Sequence, residues 1–301
     1  MYRVLATDGM AKGAVAKLRE KGFEVVEEFY EPDVLAEKVK EFDVLVVRSA
    51  TKVRVPIIDA AAAAGRLKII IRGGVGVDNI DVDYAKSKGI QVANTPNASS
   101  ASVAELAIAH MLALSRYVSI ANVTMREGKW EKNAYKGLEL TGKTLGVFGM
   151  GRIGRETAKR AEALGMKVIY TDRNVAPGVS YELMDVDSLL AKADFITFHI
   201  PAQKGQPPMV NAEFLAKMKD GAFLINTARG ALIDEDALCD ALDSGKLAGA
   251  GLDVFQEEPC KNERLLKHPK VSATPHIGGT TKEAQNRIGD EIVEIILNTL
   301  K

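Results

Sequence analysis

The 301-residue chain carries 40 basic and 40 acidic side chains, with 47% apolar and 27% charged residues. This balance excludes a dedicated nucleic-acid binder, which concentrates a basic excess on one domain or face; the charged stretches 12–21 and 261–270 mix both signs and read as solvated surface. No apolar run approaches the roughly 20 residues that span a bilayer, and the opening MYRVLA lacks the long apolar core of a signal peptide. A cytoplasmic protein of enzyme size is expected. The two cysteines, Cys239 and Cys260, have no metal-ligand spacing and read as reduced thiols.

Short β-branched runs alternate with helical stretches from end to end, which is the pattern of parallel α/β architecture. The first set of predicted strands is 3–8, 23–28, 44–47, 68–71 and 91–93; the second is 144–148, 167–171, 195–199, 222–226, 249–254 and 271–273. Five strands suffice for a small sheet and six for a complete dinucleotide-binding sheet. The expectation is two doubly wound parallel-sheet domains, a Rossmann domain over 98–280 and a smaller flavodoxin-like domain over 1–97. Between the two sets, 99–125 reads as one long helix, apolar around most of its circumference and therefore buried on several sides. His110 lies on that apolar face and reads as a structural histidine. A last helix over 282–300 either closes the nucleotide domain or crosses back to the first one; its pattern alone does not choose.

Residues 149–154 (GMGRIG) come after a buried strand and open a helix. Gly149 permits the tight turn, Gly151 the approach of a pyrophosphate, and Gly154 close helix–strand packing. The helix N-terminus offers free N–H groups and a positive dipole end to phosphates. Eighteen residues beyond Gly154, Asp172 ends the next strand, where a carboxylate holds ribose hydroxyls and repels a 2′-phosphate. NAD is therefore expected over NADP, although Arg173 alongside weakens the exclusion.

Ligands of open parallel sheets sit beyond the carboxyl ends of the strands. His199, then Thr227, Ala228 and Arg229, then Glu258 and His276 come after successive strands there. An Arg, a Glu and a His so placed suit alcohol–ketone interconversion beside a carboxylate. Arg229 would hold the carboxylate with its planar fork, His276 would exchange the hydroxyl proton, and Glu258 would fix the imidazole tautomer. In the first domain Arg48 and Arg72 come after strands, and Arg72 opens RGGVGVDN, whose glycines permit an anion nest. A small substrate with more than one negative group is expected.

These residues resemble the D-2-hydroxyacid dehydrogenase family over essentially the whole chain, through GMGRIG, NTARG (226–230), GLDVF (251–255) with Glu258-Pro259, and TPHIGG (274–279). VRSATKV (47–53), GVDN (76–79) and GKWE (128–131) look most like the branch that acts on D-3-phosphoglycerate. The resemblance implies that Arg229, Glu258 and His276 are catalytic, that the backbone at Val75 and Gly76 takes the substrate carboxylate, and that Arg48 and Arg72 face a phosphate. It implies that Arg152, Ile153, Asp172, His199, Thr227, Asp253 and Gly278 surround NAD. It also implies that the last helix crosses back, so that 281–301 joins 1–97, and that the protein forms a homodimer through the nucleotide domain, with Lys132 reaching the partner's site. Many members of that branch carry a further C-terminal domain that binds serine; with the sequence ending at Lys301, serine inhibition is not expected. Relatives often have Arg at the Lys132 position, so any phosphate contact there would be a point charge. The reaction expected is oxidation of D-3-phosphoglycerate with NAD. The alternatives are reduction of glyoxylate, hydroxypyruvate or another 2-oxo acid, and an NAD(H)-sensing corepressor-like binding protein.

Overall fold

The computed structural model describes residues 1–203 and 205–300. It divides into two compact units, Met1–Ser99 with Gly279–Lys301, and Ser100–Gly278. Lys301, at the end of the expected first domain, lies outside the described residues.

In the first unit β1 (Arg3–Ala6), β2 (Glu24–Glu27), β3 (Val44–Val47), β4 (Ile69–Arg72) and β5 (Gln91–Asn94) form a parallel sheet of order β2-β1-β3-β4-β5. This is the flavodoxin-like order. Strand residues alternate between two cores, as period-2 geometry requires. Val4, Val44, Val46, Ile69 and Ile71 pack on one face; Leu5, Leu45, Val47 and Ile70 pack on the other. Both faces are covered, so the strands are apolar throughout. The terminal helix Lys282–Thr299 supplies Ile288, Ile292, Val293 and Ile296 to the first face. It belongs to this unit, the crossing that sequence pattern alone leaves open.

The second unit contains β6 (Thr144–Phe148), β7 (Lys167–Thr171), β8 (Glu182–Leu183), β9 (Phe195–Phe198), β10 (Ala222–Asn226), β11 (Leu247–Leu252) and β12 (Val271–Ala273). All pairings are parallel, in the order β12-β11-β10-β9-β6-β7-β8. Chain order reverses between β6 and β9, which is the switch point where a doubly wound sheet opens a crevice. The strands match the expected six closely, and β8, with two exposed residues, is additional.

The expected helix over 99–125 is two helices, Ser100–Ser115 and Val118–Arg126, bent by 63°. Tyr117 between them is left-handed at φ 56°, which no helix interior tolerates. The first helix buries Ala107, Ile108 and Met111 against β6, β9 and β10 side chains. Among the described residues no single helix is long and apolar enough to cross a membrane. Cys239 and Cys260 are free thiols.

Candidate active site

In the second unit the glycine turn is built as a cradle. Gly149 sits at φ 90°, and a Cβ there would lie 2.6 Å from Ile200 Cγ2 and 2.8 Å from the His199 carbonyl. A Cβ on Gly154 would lie 2.1 Å from the Gly149 carbonyl oxygen, whereas one on Gly151 would meet nothing within 4 Å. Gly149 and Gly154 are therefore fixed by packing, and Gly151 opens outward. The helix Arg152–Ala163 begins at the turn with Gly151 as its N-cap and no side chain capping its first N–H groups. An anion is the partner such an end accepts. Arg152 and Ile153 are its first residues.

Asp172 ties the turn to β7. Its Oδ2 accepts from the Met150 amide at 2.8 Å and its Oδ1 from the Arg173 amide at 2.7 Å. Each oxygen keeps acceptor capacity for a hydroxyl. Further along the strand ends, two buried polar atoms have no protein partner, His199 Nδ1 and Thr227 Oγ1. His199 Nε2 lies 3.2 Å from Thr197 Oγ1. Burial pushes the His199 imidazole down to about 3, so it is a neutral polar group at any working pH. An open helix end, a carboxylate beyond the next strand and two partnerless buried polar atoms together fit a dinucleotide.

The three residues expected to be catalytic stand on loops of this same unit. The loop after β10 is fixed by Asn226, fully buried, whose Nδ2 donates to the Arg229 carbonyl at 2.8 Å and whose Oδ1 accepts from the Ala228 amide at 3.0 Å. Arg229 Nη1 donates to the Ala228 carbonyl at 2.6 Å. A Cβ on Gly230 would lie 1.9 Å from the Phe255 backbone, so only glycine lets this loop approach the segment after β11. From that segment Glu258 Oε1 accepts from the Phe255 amide at 3.2 Å, and Glu258 Oε2 lies 2.7 Å from His276 Nδ1. Burial works to raise the Glu258 carboxyl, but the His276 hydrogen bond and the charges of His276 and Arg229 outweigh it, and the group lies below the usual carboxylate range. His276 is left-handed at φ 53°. Its loop is pinned by Asp253, 1% exposed, which accepts from Thr274 Oγ1 at 2.6 Å and from the Ile277 and Gly278 amides at 2.8 Å each. Imidazole with one nitrogen on a carboxylate keeps the other for proton exchange. Lys132 lies in the exposed turn Lys132–Tyr135, apart from this cluster in sequence.

The first unit gathers the expected substrate residues at the ends of β3 and β4. The Arg48 amide and the Thr51 amide donate to Asp8 Oδ2 at 2.6 and 3.1 Å, and Asn79 Nδ2 donates to the carbonyls of Arg48 and Thr51 at 2.6 and 2.7 Å. Arg72 turns back on its own loop. Its Nη1 lies 3.4 Å from the Gly73 carbonyl and occupies the space a Cβ on Gly74 would need, 1.3 Å away. The Val75 carbonyl accepts from Asn94 Nδ2 at 2.5 Å. In a trans peptide the Gly76 N–H then points the opposite way. Asp8, Asn79, Asn226 and Thr274 hold these loops and are not singled out as site residues from the sequence. Asp8 comes after β1 and Asn226 ends β10, so the strand-end rule could have found both; Asn79 and Thr274 bond across long sequence gaps.

Residues 108–278 match the NAD-binding domain of the D-isomer specific 2-hydroxyacid dehydrogenases. The chain is 51% identical over 304 residues to a hydroxypyruvate reductase of Thermotoga maritima, covering 99% of this chain and 98% of that one. It is 45% identical to a D-3-phosphoglycerate dehydrogenase of Methanocaldococcus jannaschii, covering 100% of this chain but only 58% of that one. A protein of Thermus thermophilus with a crystal structure superposes with a TM-score of 0.91 at 37% identity, over 99% of this chain and 96% of that one.

Proposed function

We propose a proton path and a substrate for this chain, which belongs to the D-isomer specific 2-hydroxyacid dehydrogenases. Such a protein interconverts a 2-hydroxy acid and its 2-oxo acid with NAD, which when bound accepts the C2 hydride or, reduced, returns it. In our reading the substrate is a three-carbon acid of the glycerate series, with hydroxypyruvate reduced to D-glycerate. The observation that carries the chemistry is the 2.7 Å contact between His276 Nδ1 and Glu258 Oε2. Glu258 accepts the hydrogen bond from Nδ1–H, which leaves Nε2 to face the substrate oxygen. In oxidation neutral Nε2 accepts the hydroxyl proton, and in reduction the imidazolium returns it to the carbonyl oxygen. The Glu258 charge favours the imidazolium that forms. Arg229 binds the carboxylate and polarises the reacting oxygen. Gly149, Gly151, Arg152, Ile153, Gly154, Asp172, His199, Thr227, Ala228, Asp253 and Gly278 would hold NAD, and Val75 and Gly76, in the unit with the terminal helix, would take the substrate carboxylate.

Similarity over nearly full length to a hydroxypyruvate reductase supports the unphosphorylated substrate. So does Arg72, whose guanidinium is turned into its own glycine turn. A second reading, oxidation of D-3-phosphoglycerate, is favoured by Arg48, held at the end of β3 by Asp8 and Asn79. We also infer a homodimer formed through Val118, Val123, Met125 and Trp130, large apolar side chains left 49–80% exposed within the second unit.

The test is a substrate panel read by NADH absorbance, with hydroxypyruvate, glyoxylate and 3-phosphohydroxypyruvate, on the parent, His276→Asn and Arg48→Ala. Loss of general acid–base catalysis should lower kcat in His276→Asn by about 10²–10⁴-fold with NADH binding retained; an active variant sinks the proton path. Arg48→Ala should leave the KM for hydroxypyruvate within about threefold, since deletion of a charge-assisted bond to a bound phosphate would cost more. A preference for 3-phosphohydroxypyruvate that Arg48→Ala abolishes replaces the first reading by the second.

A further inference from the structure

Behind the His276 loop runs a chain of buried polar groups that begins on another element. His110, 2% exposed in the helix Ser100–Ser115, has Nδ1 2.9 Å from Ser272 Oγ and Nε2 3.1 Å from Thr274 Oγ1. Thr274 in turn donates to Asp253 Oδ1 at 2.6 Å, and Asp253 holds the Ile277 and Gly278 amides. Room for the ring is made by Gly251, where a Cβ would lie 2.6 Å from His110 Cβ. A helix-borne imidazole therefore reaches, through two side chains, the backbone immediately after left-handed His276.

The direction of every bond is set by donor counting. Thr274 Oγ1 has one proton, and it points at a carboxylate that only accepts. Toward His110 the hydroxyl must accept, so His110 Nε2 carries the hydrogen. Burial holds the His110 imidazole below its ordinary range, against the raising influence of Asp253. A neutral ring protonated on Nε2 leaves Nδ1 to accept from Ser272 Oγ–H. Each group in the chain then polarises the next toward the Asp253 charge. An aliphatic side chain at position 110 would fill the space but remove the N–H that Thr274 Oγ1 accepts from.

We propose that His110, acting through Thr274 and Asp253, is a positioning residue that sets the orientation of His276. The proposal rests on His276 being the proton carrier. A misplacement of that imidazole by a fraction of an ångström is enough to matter, since catalytic geometry lost by about 1 Å costs up to about 100-fold in rate.

The experiment uses the full chain and the 2-oxo acid that the panel reduces fastest, comparing His110→Leu, Thr274→Val, their double variant, His110→Gln, Thr274→Ser and His276→Asn. Loss of the chain should lower kcat roughly 10-fold or more in His110→Leu and Thr274→Val while KM changes less. The double variant should be no worse than the poorer single one, because both cut the same chain. Gln and Ser, which keep the needed donors, should restore most of the rate. The chain has four histidines, so imidazole signals can be assigned by NMR. His276 resonances should move in Thr274→Val and stay put in Thr274→Ser, and His110 in the parent should be the Nε2–H tautomer. Parent-like kcat in both single variants, independent losses in the double one, or an Nδ1–H tautomer at His110 overturns the proposal; the tautomer is read on the parent, so it decides even where a variant does not fold. Activity in His276→Asn instead removes the proton-carrier reading on which the proposal stands, and is thereby told apart from failure of the relay.

Discussion

The two units each carry a glycine-rich turn at the end of a parallel strand, and the two turns are built for different purposes. The turn after β4 is filled from within, for Gly74, at φ 148°, makes room for Arg72 Nη1. The turn after β6 is left open, for nothing lies within 4 Å of a Cβ on Gly151 and the helix behind it has no side-chain cap. One uses the missing Cβ to seat a guanidinium of its own chain. The other uses it to bring bare N–H groups to a surface where an anion can meet them. Glycine content alone does not separate these cases. The next helix in the chain does, with 12 residues after the second turn and only six, Val82–Ser87, after the first.

The sharpest way to break this comparison is to add the missing carbon at each turn. Gly154→Ala forces a Cβ to within 2.1 Å of the Gly149 carbonyl, a backbone clash that no side-chain rotation relieves. Overpacking of this kind costs about 1–3 kcal/mol, so NADH binding measured by fluorescence should weaken on the order of 10-fold or more while the first unit's hydrogen-exchange protection stays unchanged. Intact NADH affinity would show that the second turn does not bind the cofactor. A smaller effect is expected for Gly74→Ala. There the clash is with the end of a flexible arginine, and the remaining cost is backbone strain of about 1–3 kcal/mol. KM for the 2-oxo acid should rise several-fold with NADH binding untouched. The opposite pattern, NADH affinity lost and KM kept, would exchange the roles of the two turns.

Much of this arrangement is legible in the sequence because parallel strands covered on both faces are almost purely apolar. VLVV over β3 and FITF over β9 leave no alternative reading, and the polar residue after each strand marks the ligand side. β8 is not legible, since Glu182 and Leu183 are both exposed and pair only at an edge. Nor is the break at Tyr117, because the apolar pattern runs on beyond it and the left-handed residue is not a glycine. Asp253 shows the limit most clearly. Its place in GLDVF suggests a ligand contact, but nothing in that motif shows its loop partners Thr274, Ile277 and Gly278, more than 20 residues away. Position after a strand tells which residues stand at the crevice, and only the packed loops tell which of them hold the others.

Histidine distribution gives the mildest test of the difference between the units. All four histidines, His110, His199, His268 and His276, belong to the second unit. Burial holds His199 down to about 3 and His110 below its ordinary range. A base depressed in the folded state is protonated first in the unfolded chain, whose imidazoles titrate near about 6.5. Folded-state stability is therefore unaffected above that pH and falls as the pH drops below it, because only the unfolded chain then gains the protons. Thermal unfolding monitored from pH 8 to pH 5 should show a steady Tm down to the imidazole range and a decline beyond. His199→Gln, which keeps a neutral polar group, should flatten that decline, and hydrogen exchange should place the acid-sensitive opening in Ser100–Gly278. An equal slope in the variant, or acid opening confined to the first unit, would mean that carboxylates rather than buried imidazoles set the acid limit.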